Sequence, residues 1–190
     1  MEAVRRVLLT GFEPFGQVKV NPSWAAVEGM PESVGQWEVH KRRMPVVFGL
    51  AQETVRDAIR EVQPDLVIAC GVAAGREKVT PELVAVNWRM ASLPDNGGKV
   101  YSGEKIDPQG PAARMTDLDV SGIISAVRSE GIPCDLSLSA GSYVCNDVYW
   151  EVLRWAGDTG RSGLFVHVPS EDKVTVEDDR RALHAILRIL

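Results

Sequence analysis

The stretch Asp65-Leu66-Val67-Ile68-Ala69-Cys70 is an apolar run of strand length, with no polar alternation. A strand with one face in water alternates; one that does not must be covered on both faces, as parallel strands in α/β proteins are. This run therefore demands helices above and below a sheet, and the rest of the chain supplies them. Val4 to Thr10 reads as a first strand closed by Gly11, and Trp37 to Arg43 alternates as another. Leu83 to Trp88, Cys134 to Leu138 and Ser162 to Val168 read as further strands. Asn21-Pro22-Ser23 opens a helix, with Asn21 as N-cap and Pro22 at the first helical position. Leu50, Val55, Ile59 and Val62 share one face of a helix that stops before Pro64. Val120, Ile123, Ile124 and Val127 mark a helix ending at Gly131, and Tyr143 to Trp155 forms another. Thr175 caps a last helix through Leu190, with Glu177, Asp178 and Asp179 at its positive dipole end. Strand–helix alternation predicts an α/β fold: a three-layer α/β/α sandwich on a twisted, largely parallel (mixed) central sheet. Without internal repeat or linker, residues 1–190 are expected to form a single domain.

Residues 89–117 break the alternation. They are rich in Gly, Pro, Asp and Asn and show no period, so they read as a long surface excursion that could act as a lid. At 45% hydrophobic over 190 residues the chain is too apolar for disorder, yet no apolar run reaches the roughly 20 residues of a membrane-spanning helix. Val7-Leu8-Leu9 is cut short by Thr10-Gly11 and lacks a cleavage site, so no signal peptide is read there. With 21 basic against 26 acidic residues the net charge is −5, which argues against nucleic-acid partners.

Three cysteines cannot all pair within the chain, and Cys70, Cys134 and Cys145 show no CxxC spacing. Free thiols in a reducing cytoplasm are the expectation. Cys70 ends one apolar strand and Cys134 begins another, which suits core packing. Cys145 follows Ser139-Ala140-Gly141-Ser142 and opens a helix, where N–H groups and dipole favour a thiolate and could hold an oxyanion. Strand, turn, nucleophile and helix together read as a nucleophile elbow. Of the three histidines, His40 lies among charged residues and His184 on the last helix, whereas His167 ends a strand. Strand carboxyl ends are where α/β sheets bind ligands, so His167 is the candidate base. Glu82, leading into an apolar run, is the first choice to orient it, with Asp95, Asp107 and Asp147 left open. No metal motif, P-loop or dinucleotide fingerprint is present.

Taken together, Thr10-Gly11-Phe12-Glu13-Pro14-Phe15-Gly16, Asn21-Pro22-Ser23-Trp24, Gly71 through Asn87, Pro94-Asp95-Asn96, Ser139 through Asn146 and Phe165-Val166-His167-Val168-Pro169 resemble the pyroglutamyl-peptidase I family of thiol peptidases. The resemblance covers nearly the whole chain. It implies a Glu82, Cys145 and His167 triad that removes N-terminal pyroglutamate from peptides. It also implies that Phe12 and Phe15 flank the lactam ring, with Asn21, Val46, Val72, Leu93, Tyr143 and Val144 around the pocket. Members vary in assembly, so a homo-oligomer is left open. Relatives commonly carry Gln at Val72, Arg at Ser92, Thr at Val46 and Phe at Tyr143, so two polar groups near the scissile carbonyl are missing here.

The mechanism this implies is acyl transfer: His167 holds Cys145 as thiolate, the thiolate attacks the pyroglutamyl carbonyl, and water then hydrolyses the thioester. It needs no metal and no organic cofactor. The alternatives are a catalytically silent lactam- or peptide-binding protein on the same scaffold, and a thiol amidase of altered specificity.

Overall fold

The structure is a computed structural model, described here for residues 4–16 and 19–190. In chain order the elements are β1 (Arg5–Phe12), α1 (Pro22–Glu28), β2 (Ser33–Val34), β3 (Trp37–Met44), α2 (Leu50–Val62), β4 (Leu66–Val72), β5 (Thr80–Glu82), β6 (Val84–Val86), β7 (Arg89–Ala91), β8 (Tyr101–Glu104), β9 (Ala113–Met115), α3 (Val120–Ser129), α4 (Val144–Thr159), β10 (Ser162–Val168) and α5 (Val176–Ile189).

The central sheet runs β2-β3-β1-β4-β10-β5. Strands β3, β1, β4 and β10 are parallel, while β2 and β5 close the two edges antiparallel. This is the mixed α/β/α sandwich that the apolar run demands, and that run is β4, at the sheet's centre. Alternate residues serve two cores. Val7, Leu9, Ile68, Leu164 and Val166 pack under α1, α3 and α5, while Leu8, Val67, Ala69 and Phe165 pack under α2 and α4. Two faces of apolar side chains at about 1.5–3 kcal/mol per fully buried residue make this sheet the stable frame for whatever its edge carries.

Four local expectations need correction. Strand β1 does not stop at Gly11 but continues through Phe12. A Cβ on Gly11 would lie 2.6 Å from the Trp24 Cα, so the glycine admits α1 against the strand. Leu83 to Trp88 is not one strand. Glu82 ends β5 in the central sheet, and β6 then pairs with β9 in a separate two-stranded sheet. Cys134 to Leu138 is no strand either. It lies alongside residues 79–82 and makes only two isolated bridges to them, Val79–Cys134 and Glu82–Ser137, with Leu136 and Leu138 exposed. Finally, residues 89–117 are structured, because β7 pairs with β8 and β9 with β6. Arg89 anchors this excursion: its Nε donates to Asp147 Oδ1 at 2.5 Å and its Nη2 to Gln52 Oε1 at 2.6 Å, both on the helical layer.

Candidate active site

Parallel strands all end at one side of the sheet, so Phe12, Val72 and His167 gather there from β1, β4 and β10. Strand β5 enters from the far edge, antiparallel to β10, with Glu82 opposite Phe165 and Thr80 opposite His167. Side chains two residues apart share a face, so Glu82 and His167 meet: Nδ1 lies 2.6 Å from Oε1. Both are buried.

Glu82 Oε1 has a second partner. Arg76 donates to it from Nη1 at 2.5 Å, contacts the Thr80 hydroxyl with the same nitrogen, and reaches the Ser139 carbonyl from Nη2 at 3.1 Å. The Tyr149 hydroxyl donates to the Glu82 backbone carbonyl at 2.7 Å. Sequence reasoning passed over Arg76, which follows the glycine-bearing stretch Gly71 to Gly75. The signal was a pair of cations, Arg76 and Lys78, shortly before a carboxylate headed for the core, since a buried carboxylate needs a partner.

Cys145 is the second residue of α4, whose N-cap residue Tyr143 makes no side-chain capping bond. The N–H groups of Val144 and Cys145 therefore have no intrahelical acceptor. The sulphur packs over Gly71: a Cβ there would lie 2.8 Å from Sγ and 2.9 Å from Phe165 Cζ. Gly71 is the register partner of His167 on the neighbouring strand. Adjacent strands lie about 4.8 Å apart, so Cys145 and His167 emerge side by side on the α4 face. Only glycine leaves the sulphur that place.

Sequence position suggested a depressed thiol pKa at a helix start. Burial outweighs it here, pushing the Cys145 thiol up to about 12 with help from the Glu82 charge, against Arg76 and the residue's own N–H. The residue is half-buried, with its sulphur packed against Gly71 at the wall of the small pocket. Burial also holds His167 below the ordinary imidazole value, outweighing the Glu82 hydrogen bond and charge that favour imidazolium. The resting pair is thus neutral thiol and neutral imidazole, not the thiolate expected from sequence. The expected elbow is also absent, since no strand leads into Cys145.

The other candidates fall elsewhere. Asp95 accepts from the backbone N–H groups of Phe48, Gly97 and Lys99. Asp107 accepts from Gln109 N–H, and Asp147 pairs with Arg89. His40 is half-buried beside Glu38, and His184 is exposed on α5. Cys70 and Cys134 are buried. Among the described residues no group of His, Cys, Asp and Glu could hold a metal ion, and no helix is long and apolar enough to cross a membrane.

Phe12, Phe15, Asn21, Val46, Val72, Tyr143 and Val144 surround a small pocket against Cys145. Its free volume is about 30 Å³, little more than a water or two. Asn21 has its polar atoms engaged inside the protein. Its Oδ1 accepts from Ser23 N–H and hydroxyl, and its Nδ2 donates to the Glu13 carbonyl. Leu93 is not among the pocket walls. With Ser92 it lines a larger neighbouring groove, because the 92–94 segment lies outside the ring of aromatics.

The pyroglutamyl peptidase family model matches residues 5–186. Pyrrolidone-carboxylate peptidase 1 of Saccharolobus solfataricus is 40% identical over 175 residues, 92% of this chain and 83% of its own length. The pyrrolidone-carboxylate peptidase of Bacillus velezensis is 38% identical, covering 94% and 85%. The crystal structure of pyroglutamyl peptidase I from Bacillus amyloliquefaciens superposes with a TM-score of 0.91 at 34% identity, over 97% of this chain and 95% of that one. Pyrrolidone carboxyl peptidase from Thermococcus litoralis superposes at 0.92 and 32% identity, over 97% and 92%.

Proposed function

Since this chain belongs to the pyroglutamyl peptidase family, we propose that it hydrolyses the amide bond after an N-terminal pyroglutamyl residue, with Cys145 as nucleophile, His167 as acid and base, and Glu82 as the group that orients the imidazole. The observation that carries this reading is the buried Glu82–His167 pair set beside Cys145 across Gly71.

With Glu82 holding Nδ1–H, the Nε2 lone pair of His167 is free to take the thiol proton as Sγ attacks the carbonyl. Because thiol and imidazole rest neutral, proton transfer accompanies attack. The N–H groups opening α4 are the donors for the oxyanion, a role Val72 and Ser92 side chains do not fill in this reading. His167 then returns the proton to the departing amine and the pyroglutamyl group remains on sulphur. Water attacks the thioester, His167 takes its proton, and pyroglutamate leaves as Sγ is reprotonated. Arg76 acts through Glu82, supplying the cation that makes a buried carboxylate tolerable. The walls of the small pocket suit a neutral lactam and disfavour open-chain glutamate, whose charges would lose water without partners. The reducing cytoplasm is the compartment that suits three unpaired thiols.

A chromogenic pyroglutamyl amide tests the reading. Turnover is expected and should be lost on treatment with iodoacetamide; absence of turnover would overturn it. A silent binding protein is the second reading, favoured by the raised thiol pKa. It requires retained pyroglutamate binding with no turnover.

A further inference from the structure

We propose that the open apolar groove beside the ring pocket receives the side chain of the residue following pyroglutamate, and that it selects apolar side chains there. This rests on the pyroglutamyl reading and deepens it. Phe15 and Tyr143 wall both spaces, the ring pocket on one side and the groove on the other. A peptide whose first residue lies against Cys145 must therefore leave the pocket past these two rings, and the groove is what it meets. The groove has a free volume of about 740 Å³, against about 30 Å³ for the pocket, so it admits any natural side chain and selects by chemistry rather than size.

That chemistry is apolar. Met90, Leu93 and Pro94 form the outer wall, Ser92 and Ser142 are its hydroxyls, and no described residue lining it carries charge. Met90 is 53% and Leu93 72% exposed, so apolar surface now in water would be covered by an apolar side chain. A charged side chain would shed water there and find no counter-charge.

The wall is also fixed relative to the nucleophile. Met90 N–H donates to the Ser142 carbonyl at 3.1 Å, and the Ser142 hydroxyl donates back to the Met90 carbonyl at 2.8 Å. The Tyr143 hydroxyl donates to the Pro94 carbonyl at 3.1 Å. Ser142 and Tyr143 lead directly into α4 and Cys145, so the groove and the sulphur move as one piece. Side-chain selection needs that rigidity.

The test compares hydrolysis of pyroglutamyl-Leu-Gly, pyroglutamyl-Gly-Gly and pyroglutamyl-Asp-Gly. The leucyl peptide should have a kcat/KM about tenfold or more above the other two, expressed mainly in KM. Met90→Lys, which supplies the missing counter-charge, should cut the Leu-to-Asp ratio by about tenfold, Leu93→Ser should lower it less, and Met90→Leu should keep it. Both positions are exposed, so neither variant threatens the fold. Equal kcat/KM on all three peptides, or a ratio unmoved by both Met90→Lys and Leu93→Ser, overturns the proposal. If the surface instead seats a second copy of the chain, Met90→Lys changes the sedimentation coefficient and leaves the ratio alone, which also overturns it. Failure to cleave any of the three peptides overturns the pyroglutamyl reading itself, a result distinct from cleavage without selectivity.

Discussion

Glu82 and Asp179 are both fully buried carboxyl groups, on opposite faces of one sheet, and they are treated in opposite ways. Glu82 lies on the α4 face and meets an imidazole and a guanidinium. Asp179 belongs to the first turn of α5, where neither carboxyl oxygen has a hydrogen-bond partner among the described residues. Burial raises its pKa to about 8, with the charges of Asp178 and Glu171 pushing the same way. It therefore sits in the core largely as the neutral acid at pH 7. Burial alone does not make a carboxylate chemically useful. A cation and an imidazole within hydrogen-bond reach give Glu82 its place in a site, and their absence leaves Asp179 a cost to the fold.

The contrast breaks most visibly on the activity side. Glu82→Gln should lower kcat/KM by about two to four orders of magnitude, because an amide can turn its NH₂ toward Nδ1 and favour the wrong tautomer. Asp179→Asn should leave kcat/KM within about twofold. Comparable losses in both variants, measured on one pyroglutamyl amide, would erase the distinction.

The wild-type pH profile comes next. Protonated imidazole cannot accept the thiol proton, so kcat/KM should rise as pH passes upward through the His167 pKa. Since burial holds that pKa below the ordinary value, the acid limb should lie below about pH 6.5. Arg76 pushes His167 down as well. Arg76→Met should therefore move the acid limb to higher pH and lower kcat/KM on the order of tenfold. An unmoved limb would make Arg76 merely structural.

The smallest effect is on stability. Asp179 has a folded pKa above its unfolded value, so the unfolded chain releases its proton first as pH rises. Its unfavourable contribution is absent below about pH 4 and grows toward pH 8. Asp179→Asn should therefore stabilise relative to wild type by an amount that increases with pH, at most about 1.4 kcal/mol per unit between pH 5 and 8. Denaturant unfolding of both proteins at the two pH values measures it. A constant difference would mean that Asp179 is already ionised in the folded state.

Much of this was legible in the sequence because it depends on local pattern. The apolar run of β4, the helical face of α2 and the strand ending at His167 follow from residue order, and parallel topology then sends Cys145 and His167 to the same edge. What was not legible depends on distant partners. Nothing local says that β5 joins the central sheet, that Cys134 to Leu138 only bridges it, or that Asp147 is claimed by Arg89. The thiol was misjudged for the same reason: the helix start is read from sequence, but the burial of the sulphur against Gly71 belongs to tertiary packing. Leu93 was placed in the ring pocket by resemblance and lies one wall further out.

The central claim, that Cys145 is the thiol served by the buried Glu82–His167 pair at a pyroglutamyl pocket, is tested most directly by affinity labelling with pyroglutamyl chloromethyl ketone and peptide mapping. The account predicts one label per chain, on Cys145, with free pyroglutamate slowing the reaction and His167→Ala nearly abolishing it. Label on Cys70 or Cys134, or labelling of Cys145 at the same rate in His167→Ala, would contradict it.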